Sequence, residues 1–318
     1  MGLEMKMTIN SAGDIVAGPG GVDTRRHNSG EGNARAYDLT PAIVNRLAAY
    51  LLKSSGLQIN LSKTYLIESK LKALIKRRGL SGFAELVQAL EDGTEPDLSS
   101  DVVQSMTINE THFFRDQVPF QALLTILPEL LHEKRFSRSL RIWSAACSTG
   151  QEIYSIAMML DEMSEKLGGY KVDLVATDIS AAVLDKAASG SFARFEVERG
   201  LPPRFAEKYF KPCGSHWIID DRIRRQVKFQ RQNLLEDFSA LGRFDFVFCR
   251  NVLIYFNSET RCSILERIGR QLSPEGLLVL GSAESMVGLA SGYVLDQRSP
   301  VYMRLAGSPE THERKLAV

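Results

Sequence analysis

Asp178 ends the apolar run "KVDLVATDIS". A carboxylate at the end of a buried strand accepts both hydroxyls of a ribose, because a cis-diol offers two donors to its two oxygens. The same residue type in the same place also caps a following helix, so both readings stand. A second candidate lies in "SAACSTGQE", residues 144–152. Small residues here (Ser144, Ala145, Ala146, Ser148, Gly150) let a ligand approach the backbone closely. Only Gly150 is a glycine, too few for the pyrophosphate turn of a dinucleotide site, whereas a nucleoside without phosphates fits. The competing reading is a plain strand-to-helix turn with Thr149 as N-cap and Glu152 as its capping-box partner. Further on, "CRNVLIYF" releases Arg250 and Asn251 abruptly at the carboxyl end of an apolar strand, with Tyr255 close behind. Polar residues there open onto the crevice of a central sheet.

Two weaker signals accompany these. In "QRQNLLE", Asn233 precedes Leu234 and is placed to read the edge of an adenine. In "MTINETHFFRDQVPF", Asn109, Thr111 and Arg115 flank the pair Phe113–Phe114. Locally, Thr107 and Glu110 read as a T-x-x-E capping box with the two phenylalanines as core. His112 has no partner at metal-ligand spacing and reads as structural.

These groups are far apart in the chain and need a scaffold that gathers them. Residues 39–133 read as helices only. "LTPAIVNRLAAYLLKSSG" has Thr40 as N-cap, Pro41 at the first helical position, Ile43, Leu47 and Leu51 on one face, and Gly56 as the stop. "LSKTYLIESKLKALIKRRG" has Ser62 as cap, Leu66, Ile67, Leu71, Leu74 and Ile75 on one face, and Gly79 at its end. Two shorter amphipathic segments complete a small bundle, and Pro128 is expected to kink or split the helix that follows. Residues 138–305 instead alternate apolar strands with helices, the pattern of a doubly wound, mostly parallel α/β sheet covered on both faces. A turn is expected at "SPEG" and a hairpin within "HWIIDDRIRRQVKFQRQNL".

Composition narrows the class. With 44% hydrophobic and 24% charged residues the chain buries a large core, and its net charge of +1 gives no global case for nucleic acid or an anionic membrane. No apolar run is long enough to span a bilayer, and the first 37 residues lack a secretory h-region, so a cytoplasmic protein with a flexible tail is expected. The four cysteines show no metal-ligand spacing and read as reduced structural thiols.

Taken in order, "NETHFFRD", "IWSAACSTGQEIYSIAM", "ATDIS", "QNLL", "FDFVFCRNVLIYF" and "LSPEGLLVLGSAES" resemble the CheR family of chemotaxis receptor methyltransferases. The resemblance implies a Rossmann-like S-adenosylmethionine-dependent methyltransferase domain (136–306) with a small antiparallel β insertion (about 190–230). An all-α N-terminal domain and linker (38–135) precede it, a disordered tail covers 1–37, and a flexible C-terminus covers 307–318. It implies S-adenosylmethionine contacts from Asn109, Thr111, Arg115, Glu152, Asp178, Asn233, Leu234, Arg250 and Asn251, with S-adenosylhomocysteine as product and no metal. Arg115 and Tyr255 are the candidate catalytic residues, with Arg250 a second candidate for orienting an incoming carboxylate. The implied partner is the cytoplasmic domain of a methyl-accepting chemoreceptor; the basic run Lys53, Lys63, Lys70, Lys72, Lys76, Arg77 and Arg78 reads either as the face that meets an acidic receptor helix or as a solvated helix face. "KPCGSHWIIDDRIRR" is too short for the Gly-containing extension that binds a receptor's C-terminal pentapeptide, so tethering is not expected. Rival readings are methylation of another substrate and a nucleoside-sensing adaptor without turnover.

Overall fold

The computed structural model describes residues 39–59, 64–107, 109–284 and 292–307, apart from the Pro96 side chain. Ser62 and Lys63, the tail to residue 38 and the C-terminus from 308 lie outside the described residues.

Four helices come first: α1 (Pro41–Ser55), α2 (Thr64–Arg78), α3 (Phe83–Asp92) and α4 (Pro96–Met106). Thr40 caps α1 by accepting the Ile43 N–H, and Gly56 closes it with an N–H to Leu52 O. Leu47 and Leu51 of α1, Ile67, Leu71, Leu74 and Ile75 of α2, and Phe83, Leu86, Leu98 and Val102 form one buried core. Leu66 departs from expectation: it is 39% exposed, because one step round the helix from Ile67 takes it off the buried stripe. Helix α5 (Val118–Glu133) then runs through Pro128 without splitting. Pro128 and Leu124, whose carbonyl would have received the missing N–H, both lie on the exposed face, so water can serve that carbonyl while Leu123, Ile126, Leu127 and Leu130 hold the other face in the core.

The α/β part contains β1 (Ser139–Ala145), α6 (Gln151–Glu162), β2 (Lys171–Asp178), α7 (Ala181–Ser189), β3 (Ser191–Ala193), α8 (Arg194–Glu198), α9 (Pro203–Tyr209), β4 (Phe210–Cys213) and β5 (His216–Ile219). It continues with α10 (Asp221–Arg224), β6 (Val227–Arg231), β7 (Phe244–Cys249), α11 (Ser258–Gln271), β8 (Leu272–Leu280), β9 (Tyr293–Leu295) and β10 (Tyr302–Leu305). The main sheet has the order β6-β2-β1-β7-β8-β10-β9, parallel from β6 to β8 and antiparallel at β10 and β9. From β1 the chain builds outward through β2 to β6, then crosses to β7 on the other side, so a crevice opens at the carboxyl end of β1. Successive strand residues fall into two cores: Ile142, Phe246, Phe248 and Val279 pack with α5 and α6, whereas Trp143, Val247, Cys249 and Leu278 pack with Ile264, Leu265 and Ile268 of α11.

Two expectations are corrected here. The small antiparallel sheet, β3-β5-β4, spans Ser191 to Ile219 only; Val227–Arg231 is the edge strand of the main sheet, paired parallel to β2, and not part of a hairpin. β5 is already paired with β3 on one side and β4 on the other, so it has no free edge for a hairpin with Val227–Arg231. "SPEG" is not a turn but a bulged stretch inside β8, where the register on β7 slips between Phe244 and Phe246. The small sheet leans on the segment ahead of α5: Phe113 meets Phe192 and Phe210 edge-on at 5.1 and 5.5 Å. At Gly200, with φ +85, a Cβ would lie 2.2 Å from Phe113 O, so only glycine permits this approach.

Candidate functional site

Residues 109–117 form a strap against the sheet, and the capping box expected at Thr107 and Glu110 is not formed. Thr107 ends α4, with its N–H on Val103 O and its hydroxyl on Gln104 O, while Glu110 pairs with Arg199 at 2.7 Å. The T-x-x-E signal failed because α5 begins only at Val118, eight residues beyond Glu110. Buried Phe113 anchors the strap, Phe114 N–H donates to Ser155 Oγ (3.0 Å), and Ser148 Oγ donates to Asn109 O (3.0 Å).

The floor is built by the strand ends. Asp178 accepts the Ser148 N–H on one oxygen (2.9 Å) and the Ser180 N–H on the other (3.0 Å). It does not cap α7, since Ser180 does so by accepting the Val183 N–H. Burial pushes the Asp178 carboxyl above its ordinary value against the pull of those N–H donors. Glu152 is likewise no cap, because Gly150 occupies the N-cap of α6 and Thr149 turns its hydroxyl to Gln151. Its two carboxylate oxygens instead accept Ser144 Oγ (2.7 Å) and Arg250 Nη1 (2.9 Å).

Arg250, with a side chain 1% exposed, also donates to Arg115 O (2.7 Å) and Asp116 (2.8 Å) and lies over the Phe120 ring. One guanidinium thus ties the strap to β7 and to α6. Three acceptors fix its guanidinium in the wall, and its Nε–H is left without a partner among the described residues. Arg115 is half-buried and gives one N–H to Glu110 O (2.9 Å). Asn233 spans the two domains, donating to Ser54 O and accepting the Leu235 N–H. Tyr255 is half-buried, burial raises its phenol, and its carbonyl accepts the Gln58 N–H of the helical domain.

Asn109, Thr111 and Arg115 of the strap, Glu152 and Asp178 of the floor, Asn233 and Leu234, and Arg250, Asn251 and Tyr255 all line one cavity. Sequence reasoning missed Ser148, Asp116 and Glu284. Ser148 was seen only as small, although its N–H and hydroxyl join floor to strap. His112, off the cavity, has its pKa lowered by burial first and then by Arg199 and Arg115. Left-handed φ at Phe114, Asp116, Gln117, Ala146, Ser148 and Asn251 concentrates backbone strain in the three segments that build the cavity; among the described residues only one other non-glycine, Arg138, shares it.

Comparison with known proteins resolves what this cavity belongs to. Residues 109–297 match the family described as CheR methyltransferase, SAM binding domain, and residues 44–107 match CheR methyltransferase, all-alpha domain. The chain belongs to the CheR methyltransferase family. Chemotaxis protein methyltransferase Cher2 of Pseudomonas putida is 41% identical over 79% of this chain and 93% of its own length. Chemotaxis protein methyltransferase 1 of Pseudomonas aeruginosa is 42% identical over the same shares, and that of Vibrio cholerae is 38% identical over 79% of this chain and 92% of its own. Among solved structures, PKMT2 from Rickettsia typhi in complex with AdoHcy is 15% identical, with a TM-score of 0.30, covering 49% of this chain and 24% of that one.

The cofactor of a CheR enzyme is S-adenosylmethionine, and the residues present fit it. Asp178 accepts backbone N–H donors on both oxygens and keeps acceptor capacity for hydroxyls. The Arg250 Nε–H is buried at the cavity wall without an acceptor among the described residues, a donor suited to a carboxylate. Ala146, Cys147 and Ser148 bring small side chains and backbone to the floor, and burial raises the Cys147 thiol so far that it stays neutral. Among the described residues no helix is long and apolar enough to cross a membrane.

Proposed function

We propose that this methyltransferase esterifies glutamate side chains on the cytoplasmic helices of chemoreceptors, in the cytoplasm, giving glutamate methyl ester and S-adenosylhomocysteine during adaptation of chemotaxis-type signalling. The observation that carries the reading is the division of labour between two arginines at one cavity. Arg250 is buried and held by Glu152, Asp116 and Arg115 O, whereas Arg115 is half-buried and uses one of its five donors on Glu110 O, leaving others for a carboxylate.

S-adenosylmethionine, when bound, supplies an electrophilic methyl group on a sulfonium. Asp178 would hold its ribose, Asn233 and Leu234 its adenine side, Glu152 its amino group, and Asn109, Thr111, Arg250 and Asn251 the remaining walls. A glutamate substrate, with a pKa of about 4.3, is already ionised at neutral pH, so no residue need act as general base. Arg115 orients that carboxylate, and Tyr255, kept protonated by its raised pKa, donates a hydrogen bond beside it. Alignment of this kind is worth up to ~7–11 kcal/mol in favourable systems. Partial exposure of Arg115 is useful, because over-binding the carboxylate would lower its ground state and slow transfer.

The basic run divides by contact. Lys70 is committed to the end of α4, donating to Met106 O and Thr107 O, and desolvation lowers its pKa. Arg77 and Arg78 pair with Asp101. Lys72, which pairs with Glu68 at 3.7 Å, and Lys76 are exposed on the same α2 stripe as Tyr65, which is 64% exposed, a surface suited to an acidic amphipathic receptor helix. The β4–β5 hairpin closes Cys213 onto His216 through Gly214 and Ser215 alone, which supports docking without pentapeptide tethering.

The test is transfer of labelled methyl to a chemoreceptor cytoplasmic fragment. Base-labile label on glutamate is expected; cofactor binding with no transfer to any receptor fragment would overturn the reading. Arg115→Ala and Tyr255→Phe should each lower kcat, and unchanged turnover in both would refute their roles.

A further inference from the structure

We propose that Glu284 is a positioning residue for the cofactor site, holding Asn251 in its left-handed conformation through the backbone of the loop after β7. The proposal rests on the reading of the cavity as the S-adenosylmethionine site. No comparison assigns this residue a role, and it does not line the cavity.

One Glu284 oxygen accepts the N–H of Leu253 (2.7 Å), and the other accepts the N–H of Asn251 (2.8 Å) and of Gly281 (2.7 Å). The Glu284 N–H returns to Gly281 O at 2.9 Å. A single carboxylate therefore joins the loops that follow two adjacent parallel strands, β7 and β8. Asn251 has φ 59, unfavourable for most side-chain-bearing residues, and it turns the N–H groups of 251 and 253 toward one point. Converging amides of this kind form an anion-binding nest, and Glu284 supplies the anion. The two loops close because residue 281 is glycine: a Cβ there would lie 2.6 Å from Asn251 Nδ2 and 2.8 Å from the Glu284 carboxylate.

The held loop carries the polar cavity residues Arg250, Asn251 and Tyr255, and they are not equally dependent on Glu284. Arg250 is fixed by its own guanidinium contacts, and Tyr255 is pinned through its carbonyl by Gln58 N–H at 3.1 Å. Asn251 lacks such an anchor among the described residues: its backbone N–H goes to Glu284 itself. Loss of the carboxylate frees Asn251 to leave the left-handed region while its neighbours stay in place. The consequence falls on the cofactor side of the cavity and spares the receptor side.

Glu284→Gln keeps the shape but presents an amide NH₂ to an N–H in place of one acceptor. It is expected to raise the KM for S-adenosylmethionine and the Kd for S-adenosylhomocysteine at least tenfold, with the receptor-fragment KM within twofold of the parent. Gly281→Ala, which presses on Asn251 from the other side, should reproduce that split and carries the test if Glu284→Gln does not fold. A Kd within threefold of the parent, or a parallel rise in both KM values, overturns the proposal. Asp178→Ala separates this from failure of the cofactor reading: if it too leaves S-adenosylhomocysteine affinity unchanged, the cavity assignment is wrong rather than the role of Glu284.

Discussion

Substituting Arg250 by methionine keeps the length and much of the packing over Phe120 but removes a buried cation with three acceptors. Its partners do not suffer equally. The Asp116 side chain is 33% exposed, so water replaces most of what it loses, and an exposed pair is worth at most ~1 kcal/mol. The Glu152 side chain is 13% exposed and keeps only the Ser144 hydroxyl, leaving an anion stranded near the sheet. Breaking a buried pair in this way costs ~3–5 kcal/mol, most of it the burial of the remaining charge. Urea denaturation should show that loss as a lower midpoint with an unchanged m-value. The decisive comparison is Arg250→Met with Glu152→Gln in the same chain. The amide still accepts from Ser144 yet carries no charge, so the double variant should recover a substantial part of the lost stability. If Arg250→Met costs under ~1 kcal/mol, or the double variant is less stable than Arg250→Met alone, stranded charge is not what matters at this site.

Three further outcomes follow from the same geometry. Asp178→Ala removes charge-assisted hydrogen bonds worth ~1.5–3 kcal/mol each, so S-adenosylhomocysteine should bind roughly ten- to a hundredfold more weakly by calorimetry. Because burial raises the Asp178 carboxyl, the apoprotein is favoured by protonation there, and that contribution disappears as pH rises through the raised value. Ligand binding needs the ionised form, so S-adenosylhomocysteine should raise the melting temperature less as pH is lowered from neutral toward the raised carboxyl value, a dependence absent in Asp178→Ala. At the docking face, Lys72→Glu with Lys76→Glu should raise the receptor KM several-fold at low salt. The difference should shrink at high salt with cofactor affinity unchanged, whereas an equal effect at all ionic strengths would exclude electrostatic docking.

What the sequence made legible was whatever depends on local pattern plus a general rule of α/β sheets. Apolar strands alternating with helices determine the layers, and the rule that ligands sit at strand carboxyl ends picks out Asp178, Arg250 and Asn251 before any coordinates. What it hid were partnerships across the chain. Arg250 and Asp116 are 134 residues apart, and nothing near either one says that the first is consumed by the second, which is why Arg250 could not be told from Arg115 as the carboxylate's guide. Thr107 and Glu110 have the spacing of a helix start, yet the same threonine serves equally well as the end of the preceding helix. Lys70 reads as part of a charged face until its ammonium is found on the last carbonyls of α4. Glu284 shows the limit most clearly. Its three acceptor contacts are to backbone N–H groups, which every residue except proline possesses, so no choice of residue type at 251 or 253 could have announced it; only the glycine at 281, kept small where two loops meet, leaves a trace in the sequence.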